Sequence, residues 1–231
     1  MIGNACLAIW FRVDPGDVAD LDAWYPRQHL PERLSVPGFL RGRRYRAVSA
    51  ELPYLTVYET EDAAVLSSAP YLERLNAPTE WTRRVLPTFK VMVRNAYRLI
   101  AASPGDGVQR HLLSVQITPD SGRGPYVRDW LRKEAPVVLG ALPGVAGFGA
   151  YVSDTGGTTV MTEERRIVGG EVRPAEPFLA LLEVADAGAE QGLRDFWQRW
   201  GRTAAAETRP ELHRLMYGLA WLGTRSPSAG P

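Results

Sequence analysis

DAWYPRQHLPERLSVPGFLRGRRY, residues 22–45, returns at residues 128–151 as RDWLRKEAPVVLGALPGVAGFGAY. Trp24 matches Trp130, Pro37 matches Pro143, Gly38 matches Gly144 and Tyr45 matches Tyr151, each pair 106 positions apart with no gap. A second block repeats as well: PYLTVYETED from Pro53 and PFLALLEVAD from Pro177. Repetition on this scale fixes architecture, because each copy must fold into the same unit. The copies differ in chemistry. At the common offset His29 stands opposite Ala135, so the imidazole belongs to the first copy alone.

The chain has 231 residues, which the repeat divides into two halves of ordinary domain size. Its formal net charge is +1, which argues against a strongly electrostatic partner such as bare nucleic acid. The one cysteine, Cys6, excludes an internal disulfide and a cysteine-based zinc site. Met1–Val13 is too short and too polar for a signal peptide, and no stretch approaches a membrane span, so a cytoplasmic location without membrane association is expected.

Along the chain, Leu7, Ile9, Phe11 and Val13 alternate with Ala8, Trp10 and Arg12, which predicts a strand. Val18, Leu21 and Tyr25 have helical spacing, and Pro26 is expected to kink or end that helix. Strands are predicted at Phe39–Val48, Tyr54–Thr60 and Val91–Ile100, with helices near Asp62–Asn76 and Thr79–Leu86. After a linker in Ser103–Val108 the order repeats. It comprises strand His111–Thr118, helix Pro125–Leu142, strands Val145–Val152 and Phe178–Val184, helix Ala189–Glu207 and strand Leu212–Leu222. Tyr45 and Pro53 are 8 positions apart, whereas Tyr151 and Pro177 are 26 apart. The 18-residue excess lies within 155–174, where glycines flank a Thr-Thr-Val-Met run, and predicts a mobile flap or hairpin.

The expected fold is α+β: a first ferredoxin-like half over residues 1–102, a degenerate second half over 109–223, and a flexible tail over 224–231. A βαββαβ unit carries helices on one face of its sheet and leaves the other bare. Two such units can pack face to face and pair their edges, closing a barrel within one chain. The barrel is expected to enclose a ligand cleft.

Trp24-Tyr25, His29-Leu30-Pro31-Glu32-Arg33, Pro37-Gly38-Phe39 and Gly42-Arg43-Arg44-Tyr45 resemble the dimeric α/β-barrel superfamily, nearest to its EthD-like branch. Ala69-Pro70-Tyr71-Leu72 and Pro78-Thr79-Glu80-Trp81-Thr82-Arg83-Arg84 fit the same group. The resemblance covers most of residues 5–100 and, in degenerate form, 110–223. It implies the tandem ferredoxin-like barrel. Relatives range over muconolactone-type isomerases, polyketide cyclases, cofactor-free monooxygenases and haem enzymes, so it does not choose a reaction.

His29 is the leading catalytic candidate, since an imidazole moves protons near neutral pH. Tyr25, four residues earlier, shares its helical face. The plainer reading of His29 is a helix-end residue capping a carbonyl. In RGRRYR, residues 41–46, Arg43 with Tyr45 is the pair expected to reach the cleft, with Arg43 able to fork onto an oxyanion. At least three of the four arginines are expected to be solvated, protecting an edge strand. Trp10 and Arg12 are expected to point into the barrel, and Tyr54 and Tyr58 form a similar set. For each the alternative is aromatic bulk filling the barrel. Cys6 is read as inert packing.

No nucleotide-binding glycine fingerprint, phosphate loop or Gly-x-Ser-x-Gly elbow is present, and His29, His111 and His213 show no metal-ligand spacing. The leading expectation is a small-molecule enzyme that needs neither organic cofactor nor metal. It would act as an isomerase, cyclase or lyase on an aromatic, polyketide or lactone-like compound, and its assembly could extend to a homodimer of pseudo-dimers. His29 would transfer the proton, with Tyr25, Tyr45 or Tyr58 orienting the substrate and Arg43 or Arg12 stabilising an oxyanion. Two rivals remain: a haem protein with His29 as axial ligand, and a non-catalytic binding barrel.

Overall fold

The computed structural model describes residues 1–47, 49–103, 108–154 and 160–220. The first half runs β1 (Ala5–Val13), α1 (Val18–Trp24), a π turn (Tyr25–His29), α2 (Leu30–Leu34), β2 (Phe39–Ala47), β3 (Tyr54–Thr60), α3 (Ala69–Asn76), α4 (Glu80–Val85) and β4 (Phe89–Ser103). The second runs β5 (His111–Pro119), α5 (Gly124–Lys133), α6 (Ala135–Gly140), β6 (Val145–Ser153), α7 (Glu163–Ile167), β7 (Glu171–Arg173), β8 (Phe178–Val184), α8 (Glu190–Ala204) and β9 (Ala206–Ala220). Apart from α7 and β7, both halves have the βαββαβ order and the same antiparallel sheet, β4-β1-β3-β2 in one and β9-β5-β8-β6 in the other.

Two seams close these sheets into an eight-stranded antiparallel barrel. Each seam depends on a 15-residue strand, longer than the sequence pattern suggests. The first part of β4 pairs with β1, and its last part, Tyr97–Ser103, pairs with β6 of the other half. In the same way β9 pairs first with β5 and then with β2. Closure removes the exposed edges that an open sheet would present.

Strand alternation decides which side chains meet. On β1, Leu7, Ile9, Phe11 and Val13 face the helices, whereas Cys6, Ala8 and Trp10 face the barrel axis. There Trp10, Tyr45, Tyr97 and Tyr151 pack with Leu55, Val57, Leu179 and Leu181. The middle of the axis is therefore packed, and a cavity lined by Trp10, Leu52, Val93 and Gln116 opens from it. Cys6 is fully buried in the packed part, and burial pushes its thiol pKa well above the ordinary value, consistent with inert packing.

The arginine-rich β2 is not a solvated edge. It lies between β3 and β9. Arg43 is 1% exposed and bridges Glu183 and Glu59, carboxylates from the two halves, with Nη2 3.3 Å from Glu59 Oε2. Arg41 also bonds Glu59, Nε to Oε2 at 2.5 Å. Arg44 points the other way, to Asp22 Oδ1 and Tyr217 Oη, both at 2.7 Å, with its guanidinium over the rings of Tyr25 and Tyr54. Only Arg46 is exposed. Seam closure buried a segment that its charge alone marked as surface.

Pro26 does not end the first helical stretch. Its missing N–H falls within the π turn, where the Leu30 amide donates to the Tyr25 carbonyl five residues back. The chain thus stays helical to Leu34.

Among the described residues the second-half excess forms no β-hairpin. Residues 155–159 lie outside the described residues; beyond them α7 packs on the first half, and β7 pairs parallel with Val91–Val93 of β4. The Gly169 amide donates to the Leu86 carbonyl at 3.2 Å. Gly170 has φ +71, and a Cβ there would lie 2.1 Å from the Lys90 carbonyl oxygen, so the close passage of the chain requires glycine. Most of the expected linker (residues 104–107) and all of the tail from 224 lie outside the described residues.

Candidate active site

Between the helix-facing side of the first sheet and the helices lies a narrow pocket with a free interior of about 60 Å³. Leu7 and Ile9 of β1, Phe89 and Met92 of β4, and Leu75 and Leu86 give it apolar walls. Trp24, Tyr25, His29 and Arg33 reach it from the continuous helical stretch, Tyr58 from β3 and Tyr71 from α3. Glu164, Arg165 and Val168, from the second half's insertion, close it over.

The π turn explains how these residues converge. Its wider winding brings residues five apart into register, so the His29 ring stacks on Trp24 with centroids 4.0 Å apart and 29° between planes. Tyr25 and Tyr58 meet His29 edge-on, at 5.3 and 6.3 Å. Trp24 is held by a hydrogen bond from Nε1 to Thr82 Oγ1 at 3.3 Å, and Gln28 donates to the same hydroxyl at 3.0 Å.

His29 is 5% exposed. Burial, aided by the nearby Arg33 charge, holds its pKa well below the ordinary 6.5, so the imidazole is neutral at physiological pH. Its Nδ1 is buried without a hydrogen-bond partner, and so are Tyr58 Oη and Arg33 Nη1. Burial also pushes the Tyr58 phenol well above its usual range, so it remains a donor. Burial opposes the Arg33 charge, but Glu164 together with Tyr71 and Tyr58 outweighs it and the guanidinium stays ionised. Arg33 Nη2 bonds both carboxylate oxygens of Glu164. An apolar chamber holding one neutral base and two spare donors suits removal of a proton from a substrate and stabilisation of the anion left behind.

Three of the eight site residues expected from sequence meet here: His29, Tyr25 and Tyr58. The others do not. Arg43, Tyr45 and Trp10 lie on the barrel axis, on the far side of the sheet. Tyr54 shares the helix-facing side with Tyr58 but is spent on Phe11 and Arg44, with ring centroids 5.3 Å from Phe11. Arg12 is exposed beside a register shift in β1. Arg33, Tyr71 and Glu164 were not singled out. Arg33 was legible, since it follows His29 by four residues on a helix. Glu164 had no signal, because its partner is 131 residues away.

The second half fills the corresponding space. Ala135 replaces His29 and Leu139 replaces Arg33, while Trp130 packs against Trp200 and Trp197 of α8, with centroids 4.5 and 6.1 Å away. Among the described residues no group of three or more metal-ligating side chains comes together, and no helix is long and apolar enough to cross a membrane.

The closed barrel of two βαββαβ sheets, with a pocket between sheet and helices, defines the dimeric α/β-barrel fold, here completed within one chain. Solved structures with this architecture include an anthrone oxidase-like protein, at TM-score 0.62 and 12% identity over 95% of this chain and 93% of that one. A "putative monooxygenase" from Lactobacillus acidophilus NCFM aligns at TM-score 0.59 and 6% identity, covering 94% and 97%. A variant chlorite dismutase from Candidatus Nitrospira defluvii aligns at 0.54 and 11%, covering 94% and 93%. No family model and no curated protein matches the sequence. At these identities the likeness is one of fold.

Proposed function

We propose that the protein is an enzyme of the EthD-like kind acting on an aromatic or polyketide-like small molecule, with His29 as general base. The observation that carries this reading is the buried, neutral imidazole with an unpartnered Nδ1 beside the spare donors of Tyr58 and Arg33. The substrate ring lies among Trp24, Tyr25 and Tyr71, and an acidic C–H or phenolic O–H gives its proton to His29. Negative charge develops on a substrate oxygen, where Tyr58 donates to it beside the Arg33 charge. Arg33 thus takes the role expected of Arg43. Return of the proton at another atom gives isomerisation; attack of the carbanion within the substrate gives cyclisation, and expulsion of a leaving group gives elimination. The reaction needs no organic cofactor or metal.

A second reading shares the first step and draws support from the fold neighbours described as an anthrone oxidase-like protein and a monooxygenase. In it dioxygen is the oxidant: the carbanion and dioxygen form a hydroperoxide, and cleavage of its O–O bond with loss of a second C–H proton as water leaves a ketone at that carbon. Dioxygen uptake during turnover separates the two. Haem fits this site poorly: the free interior of about 60 Å³ is far smaller than a porphyrin, and Tyr25 and Tyr58 stand at the edges of the His29 ring, through which a metal would bind. Visible absorbance of the purified protein tests that alternative.

His29→Gln tests the base directly. It keeps polarity and size while removing proton transfer near neutral pH. The expected outcome is a native fold with turnover lowered about 100-fold or more. Full turnover in a folded His29→Gln variant would overturn the assignment.

A further inference from the structure

We propose that the pocket binds an aromatic carboxylate, and that the Glu164 side chain occupies the carboxylate position until the ligand displaces it. This rests on the reading of the same pocket as the substrate site and names the class of ligand.

The argument starts from Arg33. It is 2% exposed, and its one ion-pair partner among the described residues is Glu164, so the pocket already displays a carboxylate bound to a guanidinium. The contact uses Nη2 alone, whereas Nη1 is buried and unpartnered. A carboxylate approaching from inside the pocket can take both nitrogens in the forked geometry that guanidinium favours.

The surrounding charge also favours an anion. Arg94 and Arg165 line the pocket with Arg33. Arg94 donates to Tyr71 Oη at 3.2 Å and Arg165 to the Val160 carbonyl, neither of them a carboxylate. The opposing carboxylates are Glu164 and the half-buried Glu32 nearby, so three cations face two anions with a neutral imidazole among them. The apolar and aromatic walls select a flat, unsaturated body for the remainder of the ligand.

Displacement requires α7 to move and exchanges one carboxylate on Arg33 for another, so the guanidinium is not left unpaired. Glu164 sits on the five-residue α7, which belongs to the insertion and not to either sheet. α7 is tied to the first half by the exposed Glu163–Arg83 pair at 3.3 Å, by the Glu163 amide donating to Asn76 Oδ1 at 3.1 Å, and by Ile167 and Val168 packed on the core. The firmer attachment is at Gly169–Arg173, beyond the helix, where the chain bonds Leu86 and β4. α7 can lift on that anchor and carry Glu164 off Arg33.

The test uses 2-naphthoate and its neutral counterpart 2-naphthamide as probes in titration calorimetry. Naphthoate is expected to bind the wild type at least 10-fold more tightly than the amide. Glu164→Gln, which removes the competing carboxylate, is expected to tighten naphthoate at least 10-fold further and leave the amide nearly unchanged. The double variant Arg33→Met/Glu164→Gln leaves neither charge buried alone, and should lose the preference. In hydrogen exchange, naphthoate should raise exchange across residues 163–168 of the wild type. Equal affinity for acid and amide, no binding of naphthoate to wild type or Glu164→Gln at millimolar concentration, weaker binding by Glu164→Gln, or tight binding with unchanged exchange at α7 would each overturn the proposal. Because these readouts involve no turnover, an inactive-base result with His29→Gln bears on the function, whereas loss of acid preference bears on the ligand class.

Discussion

Replacing Arg43 by methionine should unfold the barrel more readily without touching the pocket. In the native protein Arg41 and Arg43 balance Glu59 and Glu183, so the cluster is neutral. After Arg43→Met, Glu59 keeps Arg41 and the Ile2 amide, at 2.5 and 2.8 Å. Glu183 is 1% exposed and, among the described residues, keeps the Gln109 amide at 3.1 Å as its hydrogen bond. One uncompensated carboxylate is then held on the barrel axis. Breaking a buried pair in this way costs about 3–5 kcal/mol, a large share of the roughly 5–15 kcal/mol that stabilises a typical folded protein. Protonation relieves a stranded carboxylate, so the cost should be largest near pH 8 and shrink toward pH 5, by at most about 1.4 kcal/mol per pH unit. Urea unfolding followed by tryptophan fluorescence at pH 8 and pH 5 measures both effects. Arg43→Met/Glu183→Gln should recover most of the loss. A cost below about 1 kcal/mol at pH 8, or a double variant no more stable than the single one, would refute this account of the barrel centre.

Stability should also fall on mild acidification. Burial depresses the pKa of His213 to about 3 and that of His29 well below 6.5, so the unfolded chain takes up protons that the folded one refuses. This stability is fully present above pH 6.5 and is lost as pH falls toward the folded values. Each histidine contributes a slope of about 1.4 kcal/mol per pH unit. Glu164 and Glu211, whose pKa values burial raises, oppose it nearer pH 5. Urea midpoints at pH 7 and 5.5 should fall with acid, and a His213→Asn variant should show a shallower fall. For activity, the acid limb of kcat/KM should lie below pH 6.5, because the base stays unprotonated through that range; an acid limb centred at or above 6.5 would contradict it. Gly170→Ala should strain a left-handed position by about 1–3 kcal/mol and detach β7, read as faster hydrogen exchange at 171–173.

The sequence exposed the architecture because repetition and alternation act locally. Trp24/Trp130 and the two Pro-Gly turns marked the units, and the alternation of β1 correctly separated Leu7, Ile9 and Phe11 from Trp10. What it could not supply was the side of the sheet on which the space lies. Both faces of a closed barrel strand are buried, so a run such as Tyr54, Thr56, Tyr58 reads equally well as axis-facing or helix-facing. The structure puts Tyr58 under the helices and Leu55 and Val57 on the axis. Charge misled in the same way. Arg41, Arg43 and Arg44 carry the composition of a solvated strand, but the acids that justify their burial are remote: Glu183 is 140 residues from Arg43. Pro26 was read by its usual effect on an α-helix, and the wider turn that absorbs it also sets His29 on Trp24.

The unequal halves follow from joining them in one chain. In a symmetric dimer every substitution appears twice, so a residue facing the axis must tolerate its own copy. Here the position matching Arg43 is Gly149, and the position matching Glu59 is Glu183, so one guanidinium serves both carboxylates. A Cβ at Gly149 would already lie 2.8 Å from the Met1 side chain and 2.9 Å from the Tyr151 ring. A second arginine there would crowd the space that Met1, Tyr151 and Arg43 now share. The same freedom let the second half fill its own helix-side space with Trp197 and Trp200 while its insertion closed the space of the first. Core volume and pocket volume are thus divided between copies that a homodimer would have to keep identical. The second half supplies packed mass and the cover over the site, and the first supplies the imidazole.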